Sequence, residues 1–486
     1  MKKLSKKTLR KKLIFFTISL FFINSILLPI SGKQTTIYGK DEDYIIFDQD
    51  AGSYDLLVIT PNKFSNSLQP LVNHKNKYGV KTKIVETEEV YQQIFWKGKD
   101  NAEKIKYFIK ESIEAWNISY VLLVGGRKDQ SKTESWWVPV RYSNLIRKYG
   151  SHLEKKFLSD LYFADIYDEY GNFSSWDTNN NGIYGEWLEN ETAVDIPNLY
   201  PDVSLGCLPC RNIIDVKIAV NKIISYETGD FSDDWFKNMV VVAGDTYPNK
   251  TPGFNDGEAH TQKALDNMAD FNAVKKWVSD GSLNNWFDIV KAINKGCGFV
   301  FFSGHGAPHS WSTYQPGNSD EWAVYFQLRH IPFLINAKKL PVCVSASGCF
   351  NNMFNVSLGK SASVYNHPFG IPVSFNIPRC WGESLTLKPF GGCISVIAST
   401  AISYESSDID SKKGGCEWLD INFFEQYGIN KVDILGEIWR GTVTAFLQNF
   451  TVNWNDTNDA GDALIVKNVE QWLLIGDPSL KIGGYN

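Results

Sequence analysis

Three segments of this chain end apolar runs on groups suited to acyl transfer. "GFVFFSGHG" (298–306) delivers His305 between two glycines, "LPVCVSASGCF" (340–350) delivers Cys349 after small residues, and "NMVVVAGD" (238–245) ends on Asp245. A thiol becomes a strong nucleophile only as thiolate. A neighbouring imidazole takes its proton and later gives one to the leaving amine. A carboxylate on the other ring nitrogen would fix the tautomer and stabilise the imidazolium. Gly306 leaves its backbone N–H unobstructed, and with the N–H of Cys349 it forms a donor pair for a developing oxyanion. Cys297, Cys343 and Cys393 read instead as small buried hydrophobes. His309 and His330 fall in loop sequence and lack the strand-end placement.

Residues so far apart in sequence need a scaffold that brings strand ends to one rim, and in an open parallel sheet ligands bind outside the carboxyl ends of the strands. The order of apolar runs predicts one. "YDLLVITP", "VKTKIVET" and "SYVLLVGG" alternate with stretches of helical spacing between Tyr54 and Gly126. Continuous apolar strands alternating with amphipathic helices indicate a parallel sheet covered on both faces. The pattern lapses from about Thr133 to Asn198 and recovers at "PDVSLGCLP" and the helical "IIDVKIAVNKIISYET". A second series carries the three chemical groups and closes with "QWLLIGDPSL". The fold class is α/β: two tandem units, 52–228 and 229–486, each a mostly parallel sheet with helices on both faces.

The chain has 486 residues, 43% of them hydrophobic and 21% charged, enough for sizeable cores. A net charge of −5 excludes the basic field that nucleic acid would require. Residues 1–32 have the layout of a signal peptide or N-terminal membrane anchor: a basic stretch, then the apolar run Leu13 to Ile30. A run of roughly 18 residues is the lower limit for spanning a bilayer, so export is expected in either case, with membrane contact only through this segment. The eight cysteines show no dense disulfide framework, and Cys207-x-x-Cys210 alone is weak support for zinc. "DTNNNGIYGE" (177–186) resembles a calcium loop, with Asp177, Asn179, Asn181, the Ile183 carbonyl and Glu186 as ligands. Gly182 would permit its sharp turn, and because Leu188 stands where a closing Glu is usual, the closing carboxylate must come from Glu186 or Glu189. Calcium is therefore expected only as a structural ion, and the chemistry itself requires no cofactor.

Around His305 and Cys349 the sequence resembles the gingipain family of cysteine peptidases, within the caspase-like clan. Segments resembling the family run in order from "YDLLVITPNKFSNSLQPLVNHKNKYG" through "SDLYFADIYD", "SLGCLPCRN", "HGAPHSW", "SGCFNNMF" and "VIAST" to "GDPSL". The resemblance implies two caspase-like subdomains and an endopeptidase acting on protein or peptide substrates through a thioester. It makes His305 the base, Cys349 the nucleophile and Asp245 the orienting acid. Two departures touch the cleft: Ala307-Pro308 replace a common Ser-Glu, and Gly348 replaces a common Ala. In arginine-specific relatives an acid follows a Gly-Glu pair by two positions at the pocket floor. Here "NDGEAH" (255–260) puts His260 there. A pocket lined by His260 and Trp311 would favour uncharged or acidic side chains. The same residues would also fit an inert surface binding or adhesion module, or a transpeptidase that passes the thioester to an amine.

Overall fold

The computed structural model describes residues 52–149, 152–232, 234–248, 254–366, 371–405, 414–457 and 461–485. The basic and apolar segment 1–32 lies outside the described residues. Ten strands form the central sheet: β1 Leu56–Thr60, β2 Thr82–Glu86, β3 Tyr120–Val124, β4 Ser204–Leu208, β5 Asn238–Ala243, β6 Asn272–Trp277, β7 Phe299–Ser303, β8 Val342–Ala346, β9 Ser395–Ser399 and β10 Trp472–Ile475. Their spatial order is β6-β5-β7-β8-β9-β10-β4-β3-β1-β2. The two runs of strands expected from the sequence thus join edge to edge as one sheet. β10 pairs antiparallel with β9 and parallel with β4, at Ile475 and Cys207. Every other neighbouring pair is parallel.

Burial alternates along the catalytic-side strands because successive side chains point to opposite faces. Met239, Val241, Phe299 and Phe301 pack into one core, with helices Asp256–Asn267, Cys416–Gly428 and Leu435–Asn449. Val240, Val242, Val300 and Phe302 pack into the other, with helices Trp286–Lys295 and Trp381–Thr386. Helices Asn62–Lys77, Asn101–Trp116 and Ile213–Glu227 join the first core. The excursion after β3 forms short hairpins, such as Arg147–Tyr149 with His152–Glu154. Since β3 and β4 run parallel, this excursion carries the chain from one sheet edge to the other. It does the work of a crossover helix without its periodicity, which is why no period is legible there.

The opposed halves have a consequence for the rim. β5, β7, β8 and β9 all end at the same edge, and β10 starts there. Beyond this edge the chain builds a three-stranded antiparallel sheet, His305–Ala307 with Ser310–Gln315 with Asn318–Gln327. Among the described residues no helix is long and apolar enough to cross a membrane.

Candidate active site

β7 and β8 are adjacent, with Ser303 opposite Ala346, so the residues after them emerge side by side. His305 follows Gly304, whose φ of +157° lets the chain pass close under Ser312. A Cβ on Gly306 would overlap the backbone of Gly348 and stand 2.6 Å from Cys349 N. The glycines flanking His305 therefore let its backbone lie directly against the Cys349 turn. Asn351, fully buried, fixes that approach. Its Nδ2 donates to the carbonyls of Ala307 and Ser310 at 2.9 Å each, and its Oδ1 accepts from Ser345 at 2.8 Å.

Gly348 has a steric reason of its own. A Cβ there would overlap the Ser345 hydroxyl and the Asn351 amide oxygen. The lack of a side chain at 348 is thus matched to this particular hydrogen-bonded turn. Just before it, Ser347 takes the left-handed conformation at φ +53°. Its carbonyl accepts the Cys349 N–H at 2.9 Å, so the expected oxyanion donor is turned inward in this conformation.

The half-buried Cys349 thiol lies 3.2 Å from Ser403 Oγ and accepts from Ser403 N–H at 3.3 Å. Desolvation raises its pKa above the usual thiol value, opposed by the Ser403 hydrogen bonds and the Lys467 charge. A neutral resting thiol follows. Cys349, Ala307, Met353 and Tyr149, the last from the hairpin in the excursion, all pack against Phe350 and Ile402.

His305 Nε2 lies 2.7 Å from the Thr246 carbonyl. A carbonyl can only accept, so Nε2 carries the proton and Nδ1 is the nitrogen suited to take one from a thiol. This corrects the assignment of Asp245 as the orienting acid. The Asp245 carboxylate accepts from Gly317 N–H at 2.9 Å and is hydrogen-bonded to Asp256, and desolvation pushes it up to about 6. Backbone supplies the orientation instead, through the Thr246 carbonyl one residue further on. Asp256 holds the Thr246 peptide, accepting from Thr246 N–H at 2.6 Å and Tyr247 N–H at 3.3 Å. Tyr247, Tyr314 and Trp322 surround the imidazole edge-on, with centroids 5.5, 5.5 and 5.2 Å away.

The expected pocket residues are also corrected. Trp311 is fully buried against Phe302 in the second core. His260 is 1% exposed and lies 2.7 Å from Glu405, so neither side chain lines an open pocket. His309 and His330 are both shifted down by burial, His309 to about 4, and His330 stacks on Trp286. In the segment expected to be a calcium loop, Asp177 is buried and already engaged by the Lys99 ammonium at 2.6 Å and by the N–H groups of Asn181 and Gly182.

 The Asn179 and Asn181 oxygens accept from the backbone N–H groups of Asn181 and Ile183, and Asn181 Nδ2 donates to Glu186. Among the described residues no group of three or more His, Cys, Asp or Glu is arranged to hold a metal. The loop as it stands is a hydrogen-bonded turn with an ammonium on its acid, and a cation would have to displace Lys99.

Sequence reasoning missed Thr246, Ser403, Tyr149 and Glu405. For Ser403 and Glu405 the signal was topological, since both follow β9, the neighbour of the strand that delivers Cys349. Tyr149 lies in the excursion and carried no signal.

The family model described as peptidase family C25 matches residues 49–483. Among curated proteins, gingipain R2 of Porphyromonas gingivalis is 21% identical over 474 residues, covering 93% of this chain and 50% of the relative. Gingipain R1 of the same organism is 21% identical over 477 residues, covering 93% of this chain and 38% of the relative. The chain thus spans half or less of the length of these relatives. Among solved structures, the Arg specific cysteine proteinase gingipain R superposes with a TM-score of 0.58 at 18% identity, over 92% of this chain and 80% of that one. A complex of the pro- and mature domains of RgpB from P. gingivalis gives 0.57 at 18% identity, over 88% and 79%. At these identities the structural likeness establishes the caspase-like α/β fold.

Proposed function

Because this chain belongs to peptidase family C25, we propose that it is a cysteine endopeptidase that cleaves peptide bonds with Cys349 as nucleophile and His305 as base. The observation that carries this reading is the direct apposition of the Gly306 backbone to Gly348 and Cys349. His305 Nδ1 takes the thiol proton while Nε2–H stays on the Thr246 carbonyl. The thiolate sulfur attacks the scissile carbonyl carbon, and the resulting oxyanion is met by the Gly306 N–H. The Cys349 N–H joins it once released from Ser347 O, the bond it makes here. Collapse to the thioester breaks the C–N bond, and the imidazolium proton goes to the leaving amine. Water, deprotonated by His305, then cleaves the thioester and restores the thiol.

The basic and apolar segment 1–32 supports an exported protein, acting outside the cell or at its surface. Calcium at 177–186 remains a separate proposal, since no step above involves it. Mass spectrometry after an acyloxymethyl-ketone probe tests the reading. A single adduct on Cys349, absent in Cys349→Ala and strongly reduced in His305→Ala, is the expected result. Peptide cleavage surviving either substitution would overturn it. Adding a competing amine separates hydrolysis from transfer, because a ligase would yield mainly the amide product.

A further inference from the structure

The segment after β9 touches the nucleophile turn at two points. Ser403 bonds the Cys349 thiol, and two residues on, Glu405 bonds Ser347. The Glu405 side chain is 1% exposed, with Oε1 2.7 Å from His260 Nδ1 and Oε2 accepting from Ser347 Oγ at 2.6 Å. Between them Tyr404 is pinned by Asn468, which accepts from its N–H and donates to its carbonyl. The clamp is therefore anchored on helix Asp462–Gln471 and does not depend on the cleft.

Ser347 is the residue that needs such a tether. A left-handed conformation is unfavourable for a residue with a side chain, and Ser347 holds it at φ +53°. Its carbonyl and Gly348 then set where the Cys349 thiol and N–H point. The Glu405 bond also brings a buried charge close to the base. Burial raises the Glu405 pKa, but the His260 charge, the Ser347 hydroxyl and the His305 charge outweigh it and hold the acid below the usual carboxylate range. Burial pulls His260 down, and Glu405 more than reverses it. The two shifts run in the directions that favour the ionised pair, and His305 is among the charges that act on Glu405.

We propose that Glu405 is a positioning residue of the site: it locks Ser347 in the left-handed turn that aims Cys349, and its carboxylate supports the imidazolium form of His305. This rests on the dyad assigned above. The other groups around the pair are Asp256 on the same helix as His260, Tyr247, and Cys416, Glu417 and Asp420 on the helix Cys416–Gly428. Burial drives Asp420 and Cys416 toward their neutral forms, so neither substitutes for the Glu405 charge.

Three variants test the proposal: Ser347→Gly, Ser347→Ala and Glu405→Gln. The two Ser347 variants leave the buried pair intact. Both lose the Glu405 hydrogen bond, but glycine adopts the left-handed region freely, so Ser347→Ala should fall about tenfold below Ser347→Gly in kcat with KM unchanged. Glu405→Gln keeps an acceptor for Ser347 but removes the charge. It should lower kcat and move the acid limb of the pH profile to lower pH, by about half a unit or more. The alkylation rate of Cys349 with iodoacetamide, followed against pH, gives the same readout without any peptide substrate. If wild type alkylates at Cys349 but cleaves no peptide, the peptidase reading fails and the Glu405 result still stands. Equal activity of Ser347→Ala and Ser347→Gly, or a Glu405→Gln profile superimposable on wild type, would overturn the proposal.

Discussion

Exchange of the two rim acids, Asp245 and Asp256, distinguishes a carboxylate-oriented base from a carbonyl-oriented one. Asp256→Ala removes the acceptor for the Thr246 and Tyr247 N–H groups, at 2.6 and 3.3 Å, and so frees the peptide whose carbonyl holds His305. A hydrogen bond to a charged group contributes about 1.5–3 kcal/mol net. The second bond is long, and relief of repulsion with Asp245 offsets part of the loss. Destabilisation of about 1–3 kcal/mol is therefore expected. A displacement of about 1 Å in a reacting group costs on the order of 10²-fold, which is the expected fall in kcat/KM.

Asp245→Asn should behave differently. Its amide oxygen can still accept from Gly317 N–H, its NH₂ can donate to Asp256, and turnover should stay within about threefold of wild type. The sign of its pH effect follows from linkage. Asp245 is pushed up to about 6 by burial, so the folded state holds that proton more tightly than the unfolded one. Wild-type stability thus falls as pH rises from the unfolded carboxylate range through about 6, and stays lower above it. Asparagine lacks this loss, so its gain in melting temperature should be larger at pH 8 than at pH 4. Peptide turnover and thermal melts of both variants read these effects. A 10²-fold loss in Asp245→Asn with Asp256→Ala unaffected would return the orienting role to Asp245.

Gly348→Ala should destabilise the protein by about 1–3 kcal/mol and slow probe labelling of Cys349, because its Cβ overlaps Ser345 and Asn351; an unchanged labelling rate would show that the turn yields. Millimolar calcium should raise the melting temperature by binding the folded state, and more in Lys99→Ala, which clears the ammonium from Asp177; identical melts in chelator and calcium for both proteins would remove the ion from the loop. A positional peptide library should show cleavage that is not confined to sites after Arg, because the carboxylate near the nucleophile, Glu405, is already paired with His260. Strict arginine preference would mean that another acid reaches the cleft.

How much of this site the sequence discloses depends on which atoms do the work. That His305 and Cys349 lie side by side was legible because both follow fully buried strands, and adjacent parallel strands bring such ends together. The glycines around them were legible as a question, and the structure answers it with a backbone contact that no side chain would allow. Asp245 misled for the same reason that made it attractive. It does follow a strand to the rim, but one residue further on it is a carbonyl, a group every residue carries, that accepts the hydrogen bond of the imidazole N–H. A residue-type argument can only see side chains, so a backbone acceptor is outside its reach. His260 misled in a different way. An imidazole placed near a cleft by alignment looks available, yet its partner Glu405 comes from 145 residues further along the chain, after β9 (405 − 260). That long-range pair closes what the sequence left open. The residues most worth testing are therefore those whose role depends on contacts across strands, and Glu405 is one whose hydrogen bond to Ser347 reaches the turn of the proposed nucleophile Cys349.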